Sequence, residues 1–191
     1  MQQVTGPIDS AQASARTIAG DIIIKTVVTH TVTYFIMGAL AFVVFDYPRL
    51  YAETNYKYLM RQTTDPLVMA GPLFQPVRGL IFGIAFFLLR RSFFGHEKGW
   101  LQMWAVLVCL GILGTFGPSP ASVEGMIYTT LPLRLQFIGL PEVLLQALLL
   151  SFIVFQWVRR PGKIWLRWVM GSAFGVVLLL SALGLLVGQP Q

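Results

Sequence analysis

Five stretches of the chain are apolar over most of the length a helix needs to cross a bilayer, and mixed or charged segments separate them. At ~1.5 Å rise per residue, ~20 apolar residues span a hydrocarbon core of about 30 Å. The pattern predicts spans over residues 22–45, 71–89, 100–116, 137–158 and 169–187. The second of these is unusual. Its charge-free part, Gly79 to Leu89, is too short to cross alone, so Gln75, Pro76 and Arg78 must enter the outer leaflet.

Residues 1–21 are polar, with Arg16 the only basic side chain, and predict a cytoplasmic tail with at most a short interfacial helix. Segment 46–70 mixes Arg49, Glu53, Lys57, Arg61 and Asp65 with tyrosines and leucines. Segment 117–136 opens on Gly117-Pro118-Ser119-Pro120 and carries Met126, Ile127, Leu131, Leu133 and Leu135 among polar residues. Both patterns predict chain lying at the outer membrane surface. Pro161-Gly162 marks a turn between the last two spans. Ala39-Leu40-Ala41 has the small-residue spacing of a signal-peptide cleavage site, which would leave four helices. The long apolar stretch before it and the barely basic start argue for an uncleaved first span.

Composition agrees: the 191 residues are 55% hydrophobic and only 12% charged, a balance that a water-soluble domain of this size cannot bury. The net charge of +6 reads as topology more than as nucleic-acid affinity. Arg16, Lys25, Arg90, Arg91, Lys98, Arg159, Arg160, Lys163 and Arg167 fall on one side of the five-span scheme. Arg49, Lys57, Arg61, Arg78 and Arg134 fall on the other. The positive-inside rule then puts the N-terminus in the cytoplasm and the C-terminus outside. Trp100, Trp104, Trp157, Trp165 and Trp168 sit at predicted inner helix ends, and Tyr47, Tyr51, Tyr56, Tyr58 and Tyr128 on the outer side, as interfacial anchors do. The expected fold is an all-α, polytopic membrane bundle of about five transmembrane helices, one helix plus two helical hairpins, forming a single domain over 22–191. Residues 71–117 and 139–184 share a plan, with Arg90-Arg91 matching Arg159-Arg160, which suggests a parallel hairpin repeat.

Cys109 is the only cysteine, so no disulfide or cysteine metal site forms within one chain. Zinc-protease, nucleophile-elbow and P-loop motifs are absent, and neither a metal nor a cofactor is expected. Charged groups inside a bilayer are costly and face the bundle interior or a cavity. Arg78 and Glu142 fall at similar depth by count and are expected to pair, with Gln75 and Gln146 one turn away on the same faces. These four residues form the expected ligand-binding cluster or intramembrane ion pair. Thr26, Thr29, His30 and Thr33 make a polar stripe on the first helix, predicted to meet other helices. His30 reads as lying in the inner half, too deep for Arg78, with Gln156 its nearer candidate partner as an inner contact or relay.

The expected function is a small non-enzymatic membrane protein that binds a lipid-like or anionic ligand, or a partner membrane subunit, through the outer cluster. One alternative is a transporter whose two hairpins rock around that cluster. A second is a lipid-modifying enzyme using Glu142 or His30 as base. The expected surroundings are the bilayer of a bacterial inner or plasma membrane, as a homo-oligomer or with a partner subunit, and without nucleic acid.

Overall fold

The computed structural model describes the backbone of residues 7–57 and 59–187, and side chains from Ala15 to Leu186 except at 54, 55 and 58. Residues 1–6 of the expected tail and the anchor Tyr58 lie outside the described residues. All regular structure among the described residues is helical: α1 (Pro7–Val44), α2 (Tyr47–Ala52), α3 (Thr54–Lys57), α4 (Pro66–Met69), a single 3-10 turn at Gly71–Phe74, α5 (Gln75–Leu88), α6 (Arg90–Phe94), α7 (Gly99–Val108) running into a π turn at Cys109–Leu113, α8 (Val123–Tyr128), α9 (Leu133–Phe137), α10 (Leu140–Arg159) and α11 (Ile164–Val187). Four helical stretches are long and apolar enough to cross a membrane: Ala15–Val44, Gly71–Leu88, Leu133–Arg159 and Ile164–Leu186. The expected span 100–116 is a shorter apolar helix, Gly99–Leu113.

Two sequence expectations change here. The described part of the predicted tail is helical and continuous with the first span, so α1 starts at Pro7. Alanines at 11, 13, 15 and 19 favour helix, and Pro7 is tolerated in a first turn that needs no amide donor. The helices of each expected hairpin also do not lie side by side. Instead α1 is the hub, packing on α5, α10 and α11, while α7 packs on α10. Val32, Trp157 and Met170 form one buried cluster, so α1 wedges between α10 and α11 near their turn.

The reason α1 takes the centre is written on two faces. One carries Thr26, Thr29, His30 and Thr33, all at 1% exposure or less, and the Thr26 and Thr33 hydroxyls bond back to the carbonyls of Ile22 and Thr29. The other meets α5 through Gly79 and Gly83. A Cβ on Gly79 would lie 2.7 Å from the Val27 Cα, and one on Gly83 2.9 Å from the Ile23 Cα. Such small-residue spacing lets two backbones approach where lipid supplies no hydrophobic drive for association. Lys25 is 7% exposed and is held by Asp21 at 2.6 Å and by the Trp157 carbonyl at 3.3 Å. The usual helical donor to that carbonyl would come from residue 161, which is proline and has no N–H.

The two mixed segments meet at one end of the bundle. Leu50, Tyr56 and Leu135 form a buried cluster with Tyr47, Tyr51, Leu131 and Ile138 around it, and the Tyr56 hydroxyl donates to the Leu135 carbonyl at 2.7 Å. Together they roof the space among α1, α5, α7 and α10.

Candidate functional site: a roofed cavity beside the first helix

Beneath that roof lies a cavity of about 340 Å³, within the size range of pockets for small ligands. Its walls are mostly apolar, with Phe82, Leu107, Ile112, Val143, Ala147 and Leu150 contributing. Its polar lining comes chiefly from His30, Arg78, Gln136, Gln146 and the roof tyrosines Tyr47, Tyr51 and Tyr56. α5 and α7 do not pack extensively against each other, which leaves the exposed Arg78 beside a gap in the cavity wall. The π turn at Cys109–Leu113 supplies Gly111 and Ile112 to the same wall. Such π insertions shift the register of a helix face and recur at functional sites.

The residues of the expected cluster fall at two levels. At the lower level, His30 Nε2 bonds Gln75 Oε1 at 3.1 Å and His30 Nδ1 faces Gln146 Nε2 at 3.5 Å. Phe82 meets the imidazole edge-on with centroids 5.0 Å apart. The Arg78 guanidinium lies over the same Phe82 ring, 5.4 Å from its centroid. At the upper level, Glu142 accepts a hydrogen bond from the Tyr47 hydroxyl.

Arg78 and Glu142 therefore form no ion pair; the ion pairs among the described residues are Lys25–Asp21, Arg61–Asp65 and Arg134–Glu53. The roof supplies a phenol to the carboxylate first, and Arg78 points to the cavity and its own aromatic neighbour. His30 is likewise a member of the outer cluster, not a partner of Gln156. The glycine contacts set Gly79 opposite Val27, which brings Gln75, one turn earlier in α5, to the level of His30. Gln156 instead lines a separate polar recess with Glu97, Phe155, Arg159 and Arg160 at the basic end of the bundle. Trp104 also leaves its predicted inner belt, its indole donating to the Leu144 carbonyl of α10 at 3.1 Å.

No protein-family model, curated protein or solved structure matches the chain. The site is therefore read from its own geometry. Sequence reasoning missed Tyr47, which holds Glu142, and Gln136, which organises the roof. Gln136 is 2% exposed, accepts from the Ala121 amide at 3.1 Å, and donates to the Gly125 carbonyl at 3.0 Å and the Thr129 hydroxyl at 2.8 Å. It thereby holds Ala121 in a left-handed conformation, φ 67°, that costs a non-glycine residue about 1 kcal/mol or more.

The roof tyrosines are stabilised in their neutral form. Burial, then the Glu142 charge, pushes Tyr51 up to about 12 from an ordinary 10.0. Burial and the bond to Glu142 raise Tyr47 as well, and burial with the Glu53 charge raises Tyr56. A raised phenol contributes stability that is complete below its unfolded pKa and is lost as pH rises through the folded one. The roof is thus expected to hold to about pH 10 and to open between that value and about 12. Ultraviolet titration of tyrosinate, followed alongside near-ultraviolet circular dichroism, checks this. Tyrosines ionising at the ordinary value with the dichroism unchanged would count against it.

Proposed function

We propose that this chain is a five-pass protein of the cell membrane, bacterial inner or plasma membrane, that binds an anionic, lipid-like ligand in the roofed cavity without transforming it. The N-terminus is cytoplasmic and the C-terminus outside, on the strength of the basic loops around Arg90 and Arg160. The fifth pass is α7 with its π turn. The two roof segments pack on each other at one end, and α5 carries the chain away from that end, so the segment between Arg90 and Ser119 must return through the bundle.

The observation that carries the binding reading is Arg78, a cation on the wall of a mostly apolar cavity. An acyl chain suits the apolar walls, and the guanidinium suits a carboxylate or phosphate. Catalysis is disfavoured because both ring nitrogens of His30 are engaged by amides and Glu142 is engaged by Tyr47. The first test is native mass spectrometry of the protein purified gently from its own membrane. A stoichiometric anionic amphiphile is expected, with its occupancy reduced about 10- to 100-fold in Arg78→Gln, the loss of a charge-assisted hydrogen bond. Unchanged occupancy in the variant, or a bare monomer, would remove the support. A second protein of equal stoichiometry would redirect the reading to a partner subunit.

A transport reading has one observation in its favour. The Thr29 and Ser151 hydroxyls are fully buried without hydrogen-bond partners, adjacent in sequence to His30 and to the cavity-lining Leu150. A water there would extend the polar line from the cavity toward Lys25 and Asp21. Ligand flux into proteoliposomes that is abolished by Thr29→Val/Ser151→Ala distinguishes transport from static binding.

A further inference from the structure

Resting on the binding reading above, we infer that Gln146 is a specificity-determining residue and that the ligand carries a hydrogen-bond donor, a hydroxyl group, close to its anionic group. The inference comes from following hydrogen-bond direction through the lower polar level. Gln75 Nε2 donates to the Gly71 carbonyl at 3.3 Å, which leaves its Oε1 as the atom facing His30. That oxygen can only accept, so His30 Nε2 carries the ring proton. In a neutral imidazole the other nitrogen is then a bare lone pair, and Nδ1 must accept from the Gln146 amide nitrogen.

The same constraint fixes the other end of the Gln146 amide. Its Oε1 faces away from the histidine and has no protein donor among the hydrogen bonds described. Among the described residues the fully buried side-chain atoms without a partner are Thr29 Oγ1 and Ser151 Oγ, and the Gln146 oxygen is not one of them. The side chain is only 9% exposed and lines the cavity, so the space its oxygen can reach is the cavity itself. An acceptor there is left uncompensated by a plain hydrocarbon chain and satisfied by a ligand hydroxyl. The oxygen also repels an anion, so the anionic group belongs at Arg78.

Arg78 and Gln146 serve one headgroup because they sit at one level. Gln75, His30 and Gln146 are joined by hydrogen bonds, and Arg78 follows Gln75 by three residues, about 4.5 Å along α5. Its side chain leans back toward the N-terminal end of its helix, as helical side chains do, and so toward that level. A charge at Arg78 and a donor at Gln146 therefore belong to one polar headgroup of the ligand, with the chain running along Leu107, Val143 and Leu150.

Laurate and β-hydroxylaurate separate the possibilities, because they differ by one hydroxyl near the carboxylate. Their affinities for the full-length protein in detergent are measured by isothermal titration. Wild type is expected to prefer the hydroxy acid about 5- to 10-fold, the worth of one hydrogen bond to a buried acceptor. In Gln146→Met the two affinities are expected to converge, with the ratio read only after the variant's melting curve confirms that it is folded. Equal affinities in wild type would overturn the role of Gln146 and leave the binding reading standing. Binding of neither acid, or binding unaffected by Arg78→Gln, would overturn the binding reading itself.

Discussion

Gly79→Ala is expected to destabilise the protein by about 1–3 kcal/mol, although alanine is the better helix former by about 1 kcal/mol. The added methyl would sit 2.7 Å from the Cα and 3.3 Å from the carbonyl oxygen of Val27. Both are backbone atoms of the central helix, so no rotamer change relieves the clash, and α5 must move away from α1. Gly83 makes the same contact with Ile23 one turn further on, and the double replacement is expected to separate the helices. Gly175→Ala in α11 is the control, since a methyl there meets nothing within 4 Å and only helix propensity changes. Stability is compared by the temperature at which the monomer peak is lost in detergent. Equal temperatures for Gly79→Ala and Gly175→Ala would refute the close-packed α1–α5 interface.

Displacing α5 also has a functional consequence, because that helix carries both Gln75 and Arg78. Separation would break the bond from His30 to Gln75 and remove the cavity's cation from its wall. Ligand occupancy is therefore expected to fall in Gly79→Ala even at temperatures where the protein remains folded.

Gln136→Leu is the second large effect, about 2–4 kcal/mol. One amide joins three groups, the Ala121 N–H, the Gly125 carbonyl and the Thr129 hydroxyl, and leucine leaves all of them without that partner. Ala121 loses the contact that holds it at positive φ. The disturbance should stay local, because the α1–α5 contact does not depend on α8 or α9. Hydrogen exchange of residues 119–129 is expected to accelerate while that of α1 is unchanged, and the roof over the cavity should loosen with it. Exchange that speeds uniformly along the chain would contradict an independent role for the roof, and unchanged exchange would contradict the importance of Gln136.

The candidate site was partly legible before any coordinates. Arg78 and Gln146 line one cavity and Gln75 is linked to Gln146 through His30, because charged and amide side chains in apolar helices have few places to go but inward. The threonine face of α1 is buried for the same reason. The pairing within the cluster was not legible. Counting residues from Ile22 sets His30 below the level of Arg78, whereas the contact of Gly79 with Val27 brings it level with Gln75. The spacing Gly79-x-x-x-Gly83 was the signal in the sequence that could have corrected this, since it marks where α5 must touch another backbone. Tyr47 lies 95 positions from Glu142, and nothing local announces a contact of that separation.

What the sequence determined by itself is the class of the fold: apolar helices long enough to cross a bilayer, with basic residues gathered at the ends of α5 and α10. These follow from transfer free energies that each residue carries wherever it is placed. What only the tertiary structure decided is which polar groups meet: His30 with Gln75 and Gln146, Glu142 with Tyr47, and Arg78 with an open cavity instead of an acid. Those partnerships depend on the register between helices, and register is set where two backbones can come close enough to lock.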